Sequence, residues 1–467
     1  MTIDPKAPYP SVIAISEAFG RQALKPSEVV YAQLARITKL DPALGSYQAV
    51  YAEDALKAAK AADAAIASGH RIGPFHGIPF ALKDIFDVSG RVTTCGCLAM
   101  QNRISTQTGT IVRRLIAAGG ILIGKTKTVE CALGGWGTNQ RMGTPLNPWD
   151  LAEARVPGGS SAGSGVAVAS GLAACATGTD TGGSVRLPAA YCGLAGLKVS
   201  KGYLPTVGIY PLSHTLDTPG PMARSVADVA LMLEVMRGTE GWAIDRDLQQ
   251  GRGMFAFDTT AISGLKLGIL ADSERQICDP EILKSYDTAV ELLAALGAQI
   301  AVFTAPGRYV DMADANGAIT VFEGYGQNKA LYEVPQNPMD EDVRKRMLTG
   351  RAMTAEVHAQ NLLQQTAEQA RFRVSMEGFD ALLTPTITEA APRLSEIDQD
   401  VSPGHFTRPF NYLDMAALAV PTTPTRRGLP TSLQIVARDG HEPLTLRIGA
   451  ALEAALGAPR HPHLEAL

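Results

Sequence analysis

Segments with helix-like and strand-like patterns alternate along most of this chain, and that alternation constrains the fold more than any other feature. Apolar residues recur at helical spacing in residues 27–40. The short apolar runs 78–82 and 121–123 have the length of buried strands. Residues 265–303 follow the order strand, helix, strand. This order predicts strand–helix–strand units of a largely parallel sheet, and therefore an α/β fold.

Length and composition favour one large folded unit. The chain has 467 residues, of which 46% are hydrophobic and 19% are charged. Such a composition supports a sizeable core and differs from that of a disordered chain. We find no internal repeat and no long linker, while residues 306–375 lack strand signals and predict helices. We therefore expect one α/β domain with a helical excursion.

Charge and hydropathy exclude several classes of protein. Lys and Arg number 42 against 46 Asp and Glu, which is too few cations for electrostatic binding of nucleic acid. No window approaches the roughly 18 apolar residues of a membrane span. Residues 1–10 lack the pattern of a secretory signal. The six cysteines include no Cys-x-x-Cys pair, which favours buried thiols in a reducing cytoplasm over a metal site.

A phosphate-loop pattern occurs at residues 119–126, which read Gly-Gly-Ile-Leu-Ile-Gly-Lys-Thr. Nucleotide binding requires a strand before this pattern and a flexible loop whose N–H groups face phosphate. Here the apolar strand lies inside the supposed loop, and a helix precedes it. The sequence therefore indicates the start of a strand rather than a nucleotide site.

A second glycine-rich pattern, Gly-x-Ser-x-Gly at residues 159–163, matches the nucleophile elbow of α/β-hydrolases around Ser161. The match is weak evidence, because the stretch is rich in glycine and serine throughout. An elbow enzyme also needs a carboxylate and a later histidine. Candidate histidines exist, although none has a distinctive context: His214, His358 and His405.

The third pattern, residues 178–188, places two glycines directly before Ser184. Consecutive glycines allow backbone N–H groups to turn toward one point and form an anion-binding nest. A nucleophile beside such donors is what acyl transfer requires. A tight turn between two buried segments is the alternative, and this pattern alone does not decide between them.

Taken together, short motifs spread over nearly the whole chain resemble those of the amidase signature family. The resemblance is densest between residues 158 and 198. The other matching segments are 77–84, 124–126, 147–149, 384–386, 428–430 and 433–435. The resemblance implies an α/β fold with a large mixed β-sheet of about eleven strands sandwiched between α-helices, in a single domain with a helical excursion.

The resemblance also implies an organisation for residues 1–467, taken as one amidase domain. We expect an N-terminal helical segment at 1–75 and a catalytic core at 76–305. A mainly helical region at 306–405 would cover the substrate. Residues 406–467 would return to the core.

Functional residues follow from the same motifs, position by position. The resemblance implies that Lys83, Ser160 and Ser184 are catalytic. It implies an oxyanion hole made by the backbone N–H groups of Thr181, Gly182, Gly183 and Ser184. Three further residues would brace the site: Ser161, Asp180 and Arg186.

The family's acyl pocket lies near a short segment that begins just after Glu130. The implied pocket residues are Cys131, Ala132, Leu133, Gly134, Gly135 and Trp136. Trp136, flanked by glycines, predicts an exposed aromatic wall for an apolar or aromatic substrate. A core tryptophan is the alternative.

The chemistry of a lysine base can be derived independently. A lysine of ordinary pKa, about 10.4, is neutral in only about 1 molecule in 2,500 at pH 7. A base role therefore requires burial or another device that lowers the pKa, and Lys83 follows the apolar run 78–82, which suits burial. Neutral Lys83 would take a proton from Ser160, which takes one from Ser184, so that Ser184 attacks a carbonyl carbon. This scheme requires no histidine, no metal and no cofactor.

We therefore expect an amidase that hydrolyses the C–N bond of carboxamides through a serine acyl-enzyme, with aryl amides and carbamates (urethanes) as substrate classes. We expect a small-molecule amide or carbamate substrate, no nucleic acid, no membrane and a cytoplasmic monomer or homodimer. Leu187 stands where malonamidase-like members carry arginine, which makes a small dicarboxylic monoamide a less suitable substrate.

Two other functions remain as alternatives. One is the A subunit of a glutamine-dependent aminoacyl-tRNA amidotransferase. Such subunits carry an Asp-x-Phe/Tyr-Thr motif, whose Asp is replaced here by Gly404, and the stretch after Asn411 also departs from theirs. Arg346 does match a common family position. The other alternative is a catalytically silent binding protein, against which the intact Lys83 and both serines argue.

Overall fold

A computed structural model describes residues 9–257, 262–457 and 460–464. Residues 1–8 of the segment expected to lack a secretory signal are outside that range. The described residues form one sheet of eleven strands in the order β1-β3-β2-β4-β6-β5-β10-β11-β9-β7-β8. The strands are β1 (Tyr47–Val50), β2 (Pro79–Lys83), β3 (Ile121–Thr126), β4 (Cys175–Asp180), β5 (Ala195–Lys198), β6 (Thr218–Ala223), β7 (Lys266–Leu270), β8 (Gln299–Phe303), β9 (Ala381–Pro385), β10 (Ala416–Pro421) and β11 (Ser432–Ala437).

Fifteen α-helices, counted over the same described residues, accompany the sheet. They are α1 (Val12–Gly20), α2 (Pro26–Leu44), α3 (Ala52–Ala67), α4 (Thr110–Ala117), α5 (Ala162–Ala169), α6 (Arg186–Cys192), α7 (Val226–Arg237), α8 (Gly241–Gln250), α9 (Asp272–Arg275), α10 (Pro280–Ala295), α11 (Tyr309–Tyr332), α12 (Glu341–Thr349), α13 (Ala355–Ser375), α14 (Arg408–Tyr412) and α15 (Glu442–Leu456).

The sheet is mixed, as the family resemblance implies, so the expectation of a largely parallel sheet is wrong. Parallel pairing joins β2 to β3 and β4, and β7 to β8 and β9. The centre is antiparallel, because β6 pairs with β4 and β5, and β10 pairs with β5 and β11. The sequence pattern indicated the outer strand–helix–strand units and missed the central strands.

The sequence pattern did not predict the central strands because these strands consist largely of small residues. Strands β4 and β6 read Cys-Ala-Thr-Gly-Thr-Asp and Thr-Pro-Gly-Pro-Met-Ala, and every position is buried. Neither strand has the run of large apolar residues, or the alternation of large apolar and polar residues, that typically indicates a strand. Close packing requires the glycines: a Cβ at Gly220 would overlap the carbonyl oxygen of Leu197, and one at Gly178 would lie 2.8 Å from Ser161 Oγ.

The two mainly helical regions have different places in the fold. The segment 1–75 contains β1, which pairs antiparallel with β3, so it is not purely helical as expected. Helices α11, α12 and α13 occupy most of residues 309–375, and α11 packs against α12, α13 and α14. In the described part of the chain, no helix combines the length and apolar character that a bilayer crossing requires.

Candidate active site

The carboxyl ends of two neighbouring strands, β2 and β4, lie side by side at one edge of the sheet. Lys83 is the last residue of β2, and Asp180 is the last residue of β4, the parallel neighbour of β2. The carboxyl ends of adjacent parallel strands meet at the same edge of a sheet, which is where α/β proteins build their sites. Ser160 lies just before α5, and Ser184 lies in the loop between β4 and α6.

Lys83 is completely buried and has two side-chain partners. Its Nζ donates to Ser160 Oγ at 2.7 Å and to Thr179 Oγ1 at 2.8 Å. Burial lowers the pKa of Lys83 to about 7, although the negative charges of Asp217 and Asp180 partly oppose that shift. A neutral amine is therefore available near neutral pH, which an exposed lysine does not provide.

Ser160 is fixed through its own backbone. Its carbonyl oxygen accepts from Val129 N at 3.1 Å and from Thr128 Oγ1 at 2.9 Å. The Gly159–Ser160 peptide bond is cis, and the Ser160 side chain is fully buried. These contacts hold the hydroxyl beside Lys83.

Ser184 faces a cavity. In the part of the chain that the structure describes, its side chain forms no direct hydrogen bond with Lys83. The residue is 8% exposed, and its carbonyl oxygen accepts from Ser161 N at 3.3 Å. Within the described residues, no hydrogen bond joins Ser184 Oγ to Ser160 Oγ. The structure therefore holds the two segments together by their backbones, while the hydroxyl-to-hydroxyl contact is not formed.

The loop 181–184 presents backbone donors beside Ser184. In the described structure, the N–H groups of Thr181, Gly182 and Ser184 donate to no protein group, whereas Gly183 N donates to Asp180 Oδ1 at 2.7 Å. Gly183 has φ +127°, where only glycine is unstrained. Three of the four expected oxyanion donors are thus free, and the fourth holds the loop to β4.

A buried ion pair supports this loop. Arg186 Nε and Nη2 donate to the two carboxylate oxygens of Asp180 at 3.0 and 2.9 Å. Burial alone would raise the pKa of Asp180, but the charge and hydrogen bonds of Arg186, aided by Asn411, hold that pKa well below its usual range. Arg186 Nη1 also donates to Gln434 Oε1 at 2.6 Å. No sequence motif indicated a role for Asn411, Gln434 or Thr179.

Ser161 has structural partners rather than a catalytic histidine. Its Oγ lies 3.4 Å from both the N and the O of Thr179, and Ser161 precedes α5. Two of the candidate histidines pair with carboxylates, His358 with Glu323 and His405 with Glu274. Although His405 lines the cavity near Ser184, neither histidine forms a hydrogen bond with Ser161 within the described residues. The geometry therefore offers no support for the hydrolase-elbow alternative.

A cavity of about 550 Å³ opens at Ser184. The loop residues Thr181 and Gly182 line it, as do residues 132–136 of the expected acyl pocket. Cys131 does not line it, so its assignment to the pocket is wrong. Its side chain is buried behind the wall, at a backbone position with φ +47°, next to Cys97.

Trp136 forms part of the wall without being exposed. Only 6% of the residue is accessible, and Nε1 donates to the carbonyl oxygens of Asp398 and Val401 at 3.0 and 2.9 Å. Its ring centroid lies 6.5 Å from that of Tyr191. The tryptophan is thus a core residue with one edge on the cavity, and the expectation of an exposed wall is wrong.

The region 306–405 supplies the facing side of the cavity. Asp314 and Asn316 of α11, Arg346 of α12 and residues 399–402 all line it. These residues come from the region that was expected from the sequence to cover the substrate.

The phosphate-loop pattern has a purely structural explanation. Residues 121–126 form β3, and the lysine of the pattern, Lys125, is buried with its Nζ 3.2 Å from Asp84 Oδ1. The pattern is therefore strand rather than a loop open to phosphate. Across residues 9–257, 262–457 and 460–464, no group of three His, Cys, Asp or Glu side chains is arranged to hold a metal ion.

Comparisons with known proteins agree with this architecture. A family model described as Amidase matches residues 28–446. The A subunit of the glutamyl-tRNA(Gln) amidotransferase of Geobacter metallireducens is 33% identical over 94% of this chain and 96% of its own length. The same protein of Bdellovibrio bacteriovorus is 30% identical over 98% and 99%. The solved peptide amidase of Stenotrophomonas maltophilia is 27% identical with a TM-score of 0.84, covering 98% of this chain and 100% of its own.

These relatives correct one expectation. The sequence predicted a small-molecule partner only, no nucleic acid and a monomer or homodimer. That prediction is wrong, because several curated relatives at 30–33% identity are subunits of an amidotransferase named for glutamyl-tRNA(Gln).

Proposed function

The chain belongs to the amidase signature family and is a C–N amidohydrolase, and from that premise we propose that it cleaves carboxamides through an acyl-enzyme on Ser184. One observation carries the proposal: Lys83 Nζ is buried 2.7 Å from Ser160 Oγ, beside the cavity that Ser184 lines. With a pKa of about 7, about half of the Lys83 amines are neutral at pH 7. Lys83 then serves as the general base.

Acylation follows from the order of the three side chains. Neutral Lys83 accepts the Ser160 proton while Ser160 accepts the Ser184 proton, and Ser184 Oγ forms a bond to the carbonyl carbon. The N–H groups of Thr181, Gly182 and Ser184 donate to the developing oxyanion. The proton returns through Ser160 to the leaving nitrogen, the C–N bond breaks, and the amine departs. Water then attacks the acyl-enzyme by the same relay.

The relay needs one further contact, a hydrogen bond between Ser184 Oγ and Ser160 Oγ. Catalytic hydrogen bonds are often long or missing in a free enzyme and tighten once substrate binds. The Ser184 side chain lines the cavity, and we propose that its hydroxyl forms this hydrogen bond when substrate binds.

The cavity supports aryl amides and carbamates as substrates. Leu133, Trp136 and Leu187 give it apolar walls, and its volume of about 550 Å³ accommodates a group the size of a substituted ring. A carbamate also presents a carbonyl bonded to nitrogen, so the same attack and the same protonation of nitrogen apply.

A second function has specific support. The curated relatives are subunits of an amidotransferase, and Arg346 of the common family position lines the cavity. In that case the chain releases nitrogen from an amide for transfer, works with partner subunits and serves a tRNA substrate. Gly404 replaces the aspartate of the Asp-x-Phe/Tyr-Thr motif, which argues against glutamine binding by that motif.

Turnover by the purified chain distinguishes the two functions. A panel of amides, anilides, carbamates, esters and glutamine is assayed with and without glutamyl-tRNA(Gln) and the partner subunits, with Ser184→Ala as the inactive control. Hydrolysis of anilides or carbamates by the chain alone supports the first function. Turnover of glutamine only, and only with partner and tRNA, supports the second. Equal activity of the Ser184→Ala protein contradicts both.

A further inference from the structure

One arginine in the cavity has no partner among the described residues. Arg408 is the first residue of α14 and lines the cavity. Its guanidinium carries five N–H donors. Within the part of the chain that the structure describes, it makes no hydrogen bond and no ion pair. The other arginine of the cavity, Arg346, donates to the carbonyl oxygens of Leu133 and Gln399.

The side chain of Arg408 crosses from the oxyanion loop toward α11. A Cβ built on Gly182 would lie 3.0 Å from Arg408 Cγ, and one built on Gly317 would lie 3.4 Å from its Nη1. Thr407 Oγ1 donates to the carbonyl oxygen of Gly182 at 2.8 Å and fixes the start of α14 against the loop. The cation therefore lies close to Gly182, which is two residues before Ser184.

The environment of Arg408 leaves its charge uncompensated. Burial lowers the pKa of Arg408 to about 10, with Asp314 opposing and Arg346 adding to that shift, so the side chain stays a cation at pH 7. Asp314 lines the same cavity but lies outside ion-pair distance and is exposed to water. Arg408 is partly exposed on the cavity wall, so a ligand that enters the cavity can supply the acceptor that no described protein group provides.

We propose that Arg408 is an anion subsite of the cavity and binds a carboxylate that the substrate carries near its scissile carbonyl. The planar guanidinium matches a carboxylate with two parallel hydrogen bonds, which an ammonium or a neutral amide does not offer. The sequence disfavoured a small dicarboxylic monoamide because Leu187 carries no charge, whereas the structure supplies a cation to the cavity from Arg408 of α14. This inference rests on the proposed function, because it uses the same cavity.

Three anilides with one acyl skeleton test the subsite. Their acyl chains end in a carboxylate, a carboxamide or a methyl group, and kcat/KM is measured for each. We expect wild type to prefer the carboxylate over the carboxamide by about 10- to 100-fold, the range of a charge-assisted pair of bonds. Arg408→Gln should abolish that preference, Arg408→Lys should keep part of it, and Asp314→Asn should increase it.

The control is Arg351→Gln, which removes an exposed cation outside the cavity and should keep the wild-type preference. Melting curves show whether each variant folds, and Arg408→Lys carries the test if Arg408→Gln does not. A carboxamide that is used as well as the carboxylate, or a preference that persists in Arg408→Gln, overturns the subsite.

Calorimetric titration of the Ser184→Ala protein with the carboxylate anilide separates this inference from the proposed function. Tight binding that depends on Arg408, in a chain whose wild type hydrolyses no amide, would keep the subsite and refute the hydrolytic function. Hydrolysis of the methyl analogue with a kcat/KM as high as that of the carboxylate anilide would refute the subsite and keep the hydrolytic function.

Discussion

At the scale of single residues, the central physical fact is a lysine that lies in the interior. Among the described residues, Lys83 has no carboxylate within ion-pair distance, and its Nζ donates to the hydroxyls of Ser160 and Thr179. Hydroxyl partners satisfy an amine without stabilising its charge as a carboxylate would. Desolvation therefore dominates and lowers the pKa.

Replacing Lys83 with methionine removes the amine and keeps much of the apolar stem. We expect Lys83→Met to lower amide turnover by several orders of magnitude, because Ser160 and Ser184 lose their proton acceptor. Wild-type turnover should rise with pH through an apparent pKa near 7. Amide rates across a pH series that brackets this value check both points, with Lys39→Met, an exposed lysine, as the control. Wild-type rates in a folded Lys83→Met protein would refute the base role.

The same pKa predicts a pH dependence of stability. The unfolded chain holds the Lys83 proton up to about pH 10.4, whereas the folded chain loses it near pH 7. This group therefore makes the free energy of unfolding rise between those two values, with its full cost to stability present below pH 7. Lys83→Met should flatten that rise in melting curves, and a rise as steep as that of wild type would contradict the assignment.

Asp180→Asn tests the buried pair under the oxyanion loop. The substitution leaves the fully buried Arg186 without its counter-charge, which costs about 3–5 kcal/mol. Asp54→Asn, which breaks an exposed pair with Arg91, should cost less than about 1 kcal/mol. Urea unfolding at pH 7 measures both values. Equal losses in the two variants would mean that the buried pair does not support the loop as described.

Asp180 gives stability a pH dependence of the same sign as Lys83, because its folded pKa is also lowered, but in the acid range. Its folded pKa lies below the unfolded value of about 3.9, so its contribution to stability is present above that value and is lost as pH falls through the folded pKa. Wild type should therefore lose stability in acid more steeply than Asp180→Asn does.

At the scale of elements, close contact between the central strands depends on glycine. Gly220 of β6 faces the carbonyl oxygen of Leu197 with no room for a methyl group. Gly220→Ala should therefore destabilise the sheet by about 1–3 kcal/mol. Gly326 of α11 has open space around it, and alanine there should be neutral or stabilise by up to about 1 kcal/mol. Chemical denaturation of both variants checks the contrast, and a neutral Gly220→Ala would contradict the packing.

These elements also show where sequence reasoning succeeds. Strands β7 and β8 and helix α10 between them were predictable, because apolar runs and a helical face are local signals. Strands β4, β5 and β6 were not, because small buried residues give no periodic pattern. In the site, the family motifs implied roles for Lys83 and Ser160, and the structure places their side chains within one hydrogen bond of each other.

The distant partners of the bracing residues could not be predicted, for a physical reason. Arg186 forms a hydrogen bond with Gln434, which lies 248 positions later in the sequence. Only the order of the strands in the sheet brings these two residues into contact. Arg408 likewise reaches the oxyanion loop from a short helix far along the chain. A local motif carries no information about such partners.

At the scale of the whole molecule, the proposed reaction is carried by side-chain and backbone groups on one sheet edge. We expect exhaustive chelation to leave amide turnover within about twofold of the untreated protein, because the proposed base is an amine and the proposed oxyanion donors are backbone N–H groups. Assays before and after treatment with a strong chelator, and after adding back divalent cations, measure this. Loss of turnover that a metal ion restores would contradict the proposed mechanism.

Covalent labelling tests the central claim, that Ser184 is the nucleophile, most directly. The purified chain is treated with a fluorophosphonate, and the modified peptide is mapped by mass spectrometry in wild type, Ser184→Ala and Lys83→Met. We predict one adduct per chain on Ser184, none in Ser184→Ala and much slower labelling in Lys83→Met. An adduct on Ser161, or undiminished labelling of Ser184→Ala, would contradict the assignment.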